Sequence, residues 1–141
     1  MPAVDLLERL REFLAVTPLD TEQDVARLVE DRLPLTALDA LRAIGLTDEE
    51  VFALVLPRRT LSHRRARRER LSVDESDRVV RILRVTAAGE GVFGERDRFW
   101  RWFRTPNAQF DGRTPLSLLT TDAGARVVED MLVAIDEGFA A

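Results

Sequence analysis

The chain contains no cysteine, no lysine and no tyrosine, and its single histidine is His63. Without cysteine there is no disulfide framework and no thiolate, which makes the cytoplasm the expected compartment. With one histidine and no thiol, a metal site would have to be built almost wholly from carboxylates, and a nucleophilic triad would lack its usual partners. No metal, cofactor or small-molecule substrate is expected, and an enzyme is the least favoured class. No apolar run approaches the roughly twenty residues of a membrane span, and Met1-Pro2-Ala3-Val4-Asp5 does not open as a basic segment followed by an apolar one, so membrane association is not expected. Strict apolar/polar alternation and internal repeats are also missing, which leaves an all-α reading.

All twenty-one basic residues are arginine. That bias is the kind a GC-rich genome produces, so the number of arginines carries little weight and their clustering carries much. The 141 residues are 45% apolar with a net charge of −4, enough for one core of ordinary size or for two or three small helical lobes. Residues 57–70 hold seven arginines, His63 and one glutamate, a local charge of +6 that leaves −10 for the remainder. Such asymmetry marks a polyanion-facing patch more often than a solvated face.

In chain order, Val4, Leu7, Leu10 and Leu14 have the spacing of an amphipathic helix over 3–15, ended by Thr17-Pro18. Thr21 can cap a second helix carrying Val25, Leu28 and Val29, which stops at Leu33-Pro34. Both are too short to fold alone, so they pack on the next lobe, on a second copy in a dimer, or both. Thr36 is expected to cap a helix with Leu38, Leu41 and Ile44 inward and Gly45 as its left-handed terminator. Thr47-Asp48-Glu49-Glu50 is a capping box opening a short helix to about 55, and Leu56-Pro57 turns the chain into the basic stretch. Short helices, a tight turn and then a basic helix make helix-turn-helix order.

Ser72-Val73-Asp74-Glu75 is a second capping box, opening a helix with Val79, Ile82, Leu83 and Ala87 on one face. Gly89, Gly91 and Gly94 are expected to break that helix and separate two lobes. An aromatic helix follows over about 95–104, ended by Thr105-Pro106-Asn107, and Asp111-Gly112-Arg113 reads as a turn. Thr114-Pro115 then caps a short helix containing Leu116, Leu118 and Leu119. The last helix, about 122–137, shows Val127, Val128, Met131, Leu132 and Ile135 at helical spacing, with Gly138 closing it.

Taken as a helix over 58–70, the basic stretch presents Arg59, Thr60, Ser62, His63, Arg64 and Arg67 to base edges and phosphates. Arg58, Arg65, Arg68 and Arg70 suit the phosphate backbone, and Leu61 and Ala66 face inward. The competing reading is a solvated charge run; an RNA surface is less suited, because stacking aromatics are absent from this stretch. In Phe99-Trp100-Arg101-Trp102-Phe103, consecutive helix positions lie about 100° apart, so the four rings cannot share one face. Phe99, Trp102 and Phe103 are expected to be core. Trp100 is left opposite them, as a partner or dimer contact or, equally, as core under another surface.

Several blocks, in this order and spacing, resemble the Xre/MbcA/ParS type of antitoxin, whose partner is a RES-domain toxin. They are Leu33-Pro34-Leu35-Thr36-Ala37-Leu38, Arg59-Thr60-Leu61-Ser62-His63-Arg64, Arg70 through Arg78, Val92-Phe93-Gly94, Trp102 through Asn107 and Gly112 through Leu119. The turn Val55-Leu56-Pro57 departs from the pattern in lacking a glycine. The resemblance implies an N-terminal helical dimerisation segment over 1–33, a helix-turn-helix domain over 34–88 and a toxin-binding domain over 89–141. It also implies repression of the protein's own operon through operator DNA, and neutralisation of an NAD-targeting RES toxin by occluding its active site. Toxin-facing positions carried over in this way are Arg104, Asn107, Arg113 and the tail Glu137, Gly138, Phe139, Ala140 and Ala141. An acidic C-terminal half suits a protein groove better than a nucleic acid, and a homodimer suits operator reading, since one short helix reads few base pairs. A helix-turn-helix regulator without a toxin partner is the alternative.

Overall fold

Local hydrogen bonding starts the helices where side chains can cap them. In a computed structural model, which describes residues 3–14 and 19–138, the helices are α1 (Ala3–Leu14), α2 (Glu22–Glu30), α3 (Ala37–Ile44), α4 (Asp48–Leu54), α5 (Arg58–Ala66), α6 (Val73–Phe93), α7 (Arg96–Phe103) and α8 (Asp122–Asp136). Two 3-10 turns, Ala108–Phe110 and Leu116–Thr120, lie between α7 and α8. The described residues form no strand; Asn107 and Arg113 make an isolated antiparallel bridge. Both expected capping boxes are present, with Thr47 Oγ1 accepting from Glu50 N at 3.2 Å and Ser72 Oγ from Glu75 N at 3.1 Å. A third box joins Thr21 to Asp24, using the shorter acid in the place of glutamate.

Thr36 does not cap. Its backbone is already helical and its side chain accepts no amide, because a turn through Pro34-Leu35-Thr36 feeds α3, with the Ala37 and Leu38 amides donating to the Pro34 and Leu35 carbonyls. Gly45 ends α3 as expected, at φ 129°, with the Leu46 amide reaching back to the Leu41 carbonyl.

The largest departure concerns α6, which runs unbroken through Gly89 and Gly91 and ends only at Gly94, φ 70°. Gly89 is a packing glycine. A β-carbon there would lie 2.0 Å from Phe99 Cε1, so its small size lets α7 close on α6. The expected lobe boundary at residue 89 therefore falls inside a helix. α6 packs against α1, α2, α3, α7 and α8, and its fully buried Val79, Ile82, Leu83 and Val85 belong to one apolar cluster that extends from Leu7 to Leu132.

Leu7 and Leu10 of α1 are buried in that cluster, and Val25 of α2 joins them, so the first two helices pack on the rest of the chain. Thr17-Pro18 and the side chain of Val4 lie outside the described residues. At the other end Thr114 Oγ1 accepts from Ser117 N at 3.1 Å, but the element it opens is 3-10. Ala125, Val128 and Leu132 form the buried stripe of α8, whereas Val127, expected inward, is exposed.

Candidate functional site

α4, the turn Val55-Leu56-Pro57 and α5 make the helix-turn-helix. No glycine is needed in the turn, because Val55 and Leu56 are both buried and pin it to the core. α5 is anchored more thinly, since Leu61 is its only buried residue. It is shorter than expected and ends at Ala66. Arg67 is the C-cap, and Arg68 takes the left-handed conformation at φ 54°. The Glu69 amide then donates to the Arg64 carbonyl at 2.9 Å and the Arg68 amide to the Arg65 carbonyl at 3.2 Å, the Schellman pattern with arginine in the usual glycine position.

The arginines of this segment divide into free and committed groups. Arg59 and Arg65 are exposed, and neither makes an ion pair among the described residues. Arg58 is exposed with its guanidinium 4.7 Å from the Phe52 ring centroid. Arg67 is exposed and only loosely paired, 3.9 Å from Glu69. Ser62 and His63 are exposed on the same helix, and Thr60 is half-buried. Ala66, expected inward, is exposed too; helical spacing places it one turn beyond Ser62 and His63, on the outward face with Arg59. A small methyl there fits a surface that meets base edges.

Arg64 is different. Its Nε donates to Glu75 Oε1 at 3.0 Å, one terminal nitrogen to Glu75 Oε2 at 3.2 Å and the other to Glu69 Oε2 at 3.0 Å. Glu75 is 6% exposed and also caps α6 by accepting from Ser72 N at 2.8 Å. Burial by itself pushes the Glu75 carboxyl up; the Arg64 hydrogen bonds, the Ser72 amide and the Arg64 charge outweigh it and hold the group below the usual carboxylate range. The Glu75 hydrogen bond in turn raises Arg64. Arg64, expected to face base edges, is thus a strut between α5 and α6. Arg70 is also committed, donating to the Arg32 carbonyl at 3.1 Å, while Arg32, left-handed at φ 65°, donates to the Leu71 and Arg70 carbonyls at 2.7 and 3.0 Å.

The expected C-terminal surface is rearranged in a similar way. Trp100 is 7% exposed, which decides for core and corrects its candidacy as an open partner contact. Its ring lies against Gly45, where a β-carbon would come within 3.0 Å of Cε2, and the Arg104 guanidinium lies 4.6 Å from its centroid. Arg104 donates through Nε and a terminal nitrogen to Glu50 at 2.9 and 2.7 Å, and again to the Gly45 carbonyl at 2.6 Å. It therefore joins α7 to the start of α4. Burial pushes Glu50 up, but the Arg104 bonds and the Thr47 amide hold its carboxyl below the usual range.

Asn107 and Arg113 shape a loop. Asn107 Oδ1 accepts from Gln109 N at 2.9 Å, its own amide donates to the Arg113 carbonyl at 3.0 Å, and Arg113 donates to the Ser117 carbonyl at 3.0 Å. Glu137 and Gly138 are exposed at the end of α8, and Phe139, Ala140 and Ala141 lie outside the described residues. Beside this loop Val92, Trp102, Asn107, Met131 and Ile135 line a groove together with Phe93, Arg98 and Gln109. Trp102 is the half-buried ring of the cluster. A second groove, which includes Ala88, Leu132 and Val133, shares Val92 with the first. Helical spacing around Trp100 does not reveal these surfaces, because Gly45 beyond the end of α3 covers Trp100, whereas Trp102 faces a groove shared with Met131 and Ile135 of α8.

Two family models match the chain. Residues 24–84 match the antitoxin Xre-like helix-turn-helix domain, and residues 88–138 match the antitoxin Xre/MbcA/ParS C-terminal toxin-binding domain. A Pseudomonas putida protein named antitoxin Xre is 37% identical over 93% of this chain and 82% of its own length. Antitoxin Xre of Yersinia enterocolitica is 34% identical over 64% of this chain and 62% of its own length. That of Photorhabdus laumondii is 30% identical over 79% and 77%.

Proposed function

Since the chain belongs to the Xre family of antitoxins, we propose that it represses its own operon through α5 and neutralises a RES-domain toxin through the face built from residues 88–138. The observation that carries the DNA half is the free basic face: Arg59, Ser62, His63 and Ala66 lie outward on one side of α5, with Arg58, Arg65, Arg67 and Arg68 exposed around them. An arginine fork at that place suits guanine edges, and the surrounding guanidinium groups suit phosphates. Two copies pair on a two-fold operator, each reading one half-site.

The toxin half rests on the match to a toxin-binding domain together with the groove beside Trp102. Every residue lining that groove falls within 88–138. An apolar groove with a few polar groups fits a protein partner better than a polyanion. The toxin's action on NAD belongs to the partner, and this chain blocks access to it.

The direct test co-expresses the chain with the product of the neighbouring RES-type gene and measures growth, alongside binding to a duplex covering the operon's upstream region. Arg59→Ala with Arg67→Ala should weaken duplex binding and leave rescue intact, whereas Trp102→Ala with Met131→Asp should abolish rescue and spare binding. No rescue by the wild-type chain would remove the toxin assignment and leave a plain helix-turn-helix regulator. Equal damage to both activities by both variant pairs would dissolve the division of labour.

A further inference from the structure

α5 has a positioning problem. A helix that reads base edges must be held to a fraction of an ångström, yet only Leu61 anchors it by apolar burial. Its first turn inherits rigidity from the buried Val55 and Leu56. Its last turn has no comparable support, and Arg68 is in a backbone conformation that favours glycine.

The Arg64 side chain supplies the missing hold. It is bound by three hydrogen bonds to two carboxylates, and Glu75, the deeper of the two, is simultaneously fixed by the Ser72 amide and by its place in the first turn of α6. The next residue, Ser76, is itself fully buried and accepts the Leu33 amide at 2.9 Å. The carboxylate that grips α5 therefore sits on one of the most constrained turns of the molecule.

We infer that Arg64 and Glu75 form a clamp that aims α5 at DNA, and that Arg64 acts as a positioning residue with no contact to the nucleic acid. This inference rests on the DNA reading proposed above. The clamp makes a prediction opposite to that for a contacting arginine. Lysine keeps the charge that a phosphate needs but cannot reproduce the forked grip on Glu75. Loss of aim costs contacts to base edges, while the sequence-independent attraction between arginines and phosphates survives.

The experiment measures affinity of the full-length chain for a duplex covering the region upstream of its own operon and for a random-sequence duplex of equal length, each across a salt series. Arg64→Lys and Glu75→Gln are each expected to weaken binding to the first duplex about tenfold, the scale of one lost base contact. Binding to the random duplex should stay unchanged, and so should the dependence of log K on log salt. The double variant should be no weaker than either single, because the two side chains act as one unit. Arg59→Ala, as a contacting control, should reduce the salt slope by roughly 0.9.

Thermal melts establish that the variants are folded. If Arg64→Lys melts below the assay temperature, Glu75→Gln decides the matter, since its amide oxygen still serves the Ser72 cap. Wild-type affinity and slope in Arg64→Lys would overturn the clamp and return Arg64 to the phosphate contacts. An unchanged ratio of the two affinities in Glu75→Gln would overturn it as well, since general loosening of the fold weakens both duplexes alike. A wild-type chain that binds neither duplex would remove the DNA reading itself and the clamp with it, a result distinct from any variant's failure.

Discussion

Glu50 and Glu75 are the two carboxylates in which tertiary structure and charge meet. Each closes a capping box and each accepts a forked arginine, Arg104 for Glu50 and Arg64 for Glu75. Both carboxyls are held below the usual range despite burial. Their contribution to stability is therefore complete above the ordinary glutamate pKa of about 4.3 and is lost as pH falls through the lowered folded-state values. Urea unfolding at a series of pH values from neutral to about 3 should show the midpoint falling in the acid range. Glu50→Gln, which can no longer titrate, should flatten part of that fall while starting from a lower midpoint at neutral pH. A wild-type midpoint that stayed level into the acid range would contradict this account.

At the scale of elements, α6 shows how one residue type serves opposite ends. Gly89 and Gly91 are two residues apart on one helix, but Gly89 is buried against Phe99 and Gly91 is exposed. Alanine is the better helix former by roughly 1 kcal/mol. Gly91 is exposed, so that preference sets the sign there, and Gly91→Ala should raise stability by up to about 1 kcal/mol. At Gly89 the new methyl would meet the Phe99 ring at 2.0 Å, and Gly89→Ala should lower stability by about 1–3 kcal/mol, as overpacking does. Denaturant midpoints of the two variants, measured side by side, check the opposite signs. In the sequence both glycines read as breakers, because local propensity does not reveal what ring approaches from ten residues away.

Across the whole molecule, α6 and the arginine struts leave no seam in the described residues at which two lobes could part. One apolar cluster runs from Leu7 to Leu132, Arg104 bridges α7 to α4, and Arg81 donates to the Leu119 carbonyl at 3.3 Å. Unfolding should therefore be a single transition in which far-ultraviolet circular dichroism and tryptophan fluorescence coincide. A fragment ending at residue 88 should not fold by itself, since it lacks Phe99, Phe103 and Leu132, which cover α6. Two separated transitions, or a folded fragment, would show independent lobes instead.

Local features were legible in the sequence. The capping boxes at Thr47 and Ser72, the Gly45 and Gly138 terminators and the clustering of arginine over 57–70 all depend on residues within a few positions of one another. So did the order of helices and the blocks that mark the antitoxin family. Only the tertiary structure decided which arginines are free. Arg64 finds its carboxylate eleven residues later on another helix, and Arg104 finds its own fifty-four residues earlier. Only the fold, likewise, placed Trp100 under Gly45 and left Ala66 and Val127 outward. Helical periodicity names the faces of an element, but neighbours that arrive from distant parts of the chain determine which face is covered.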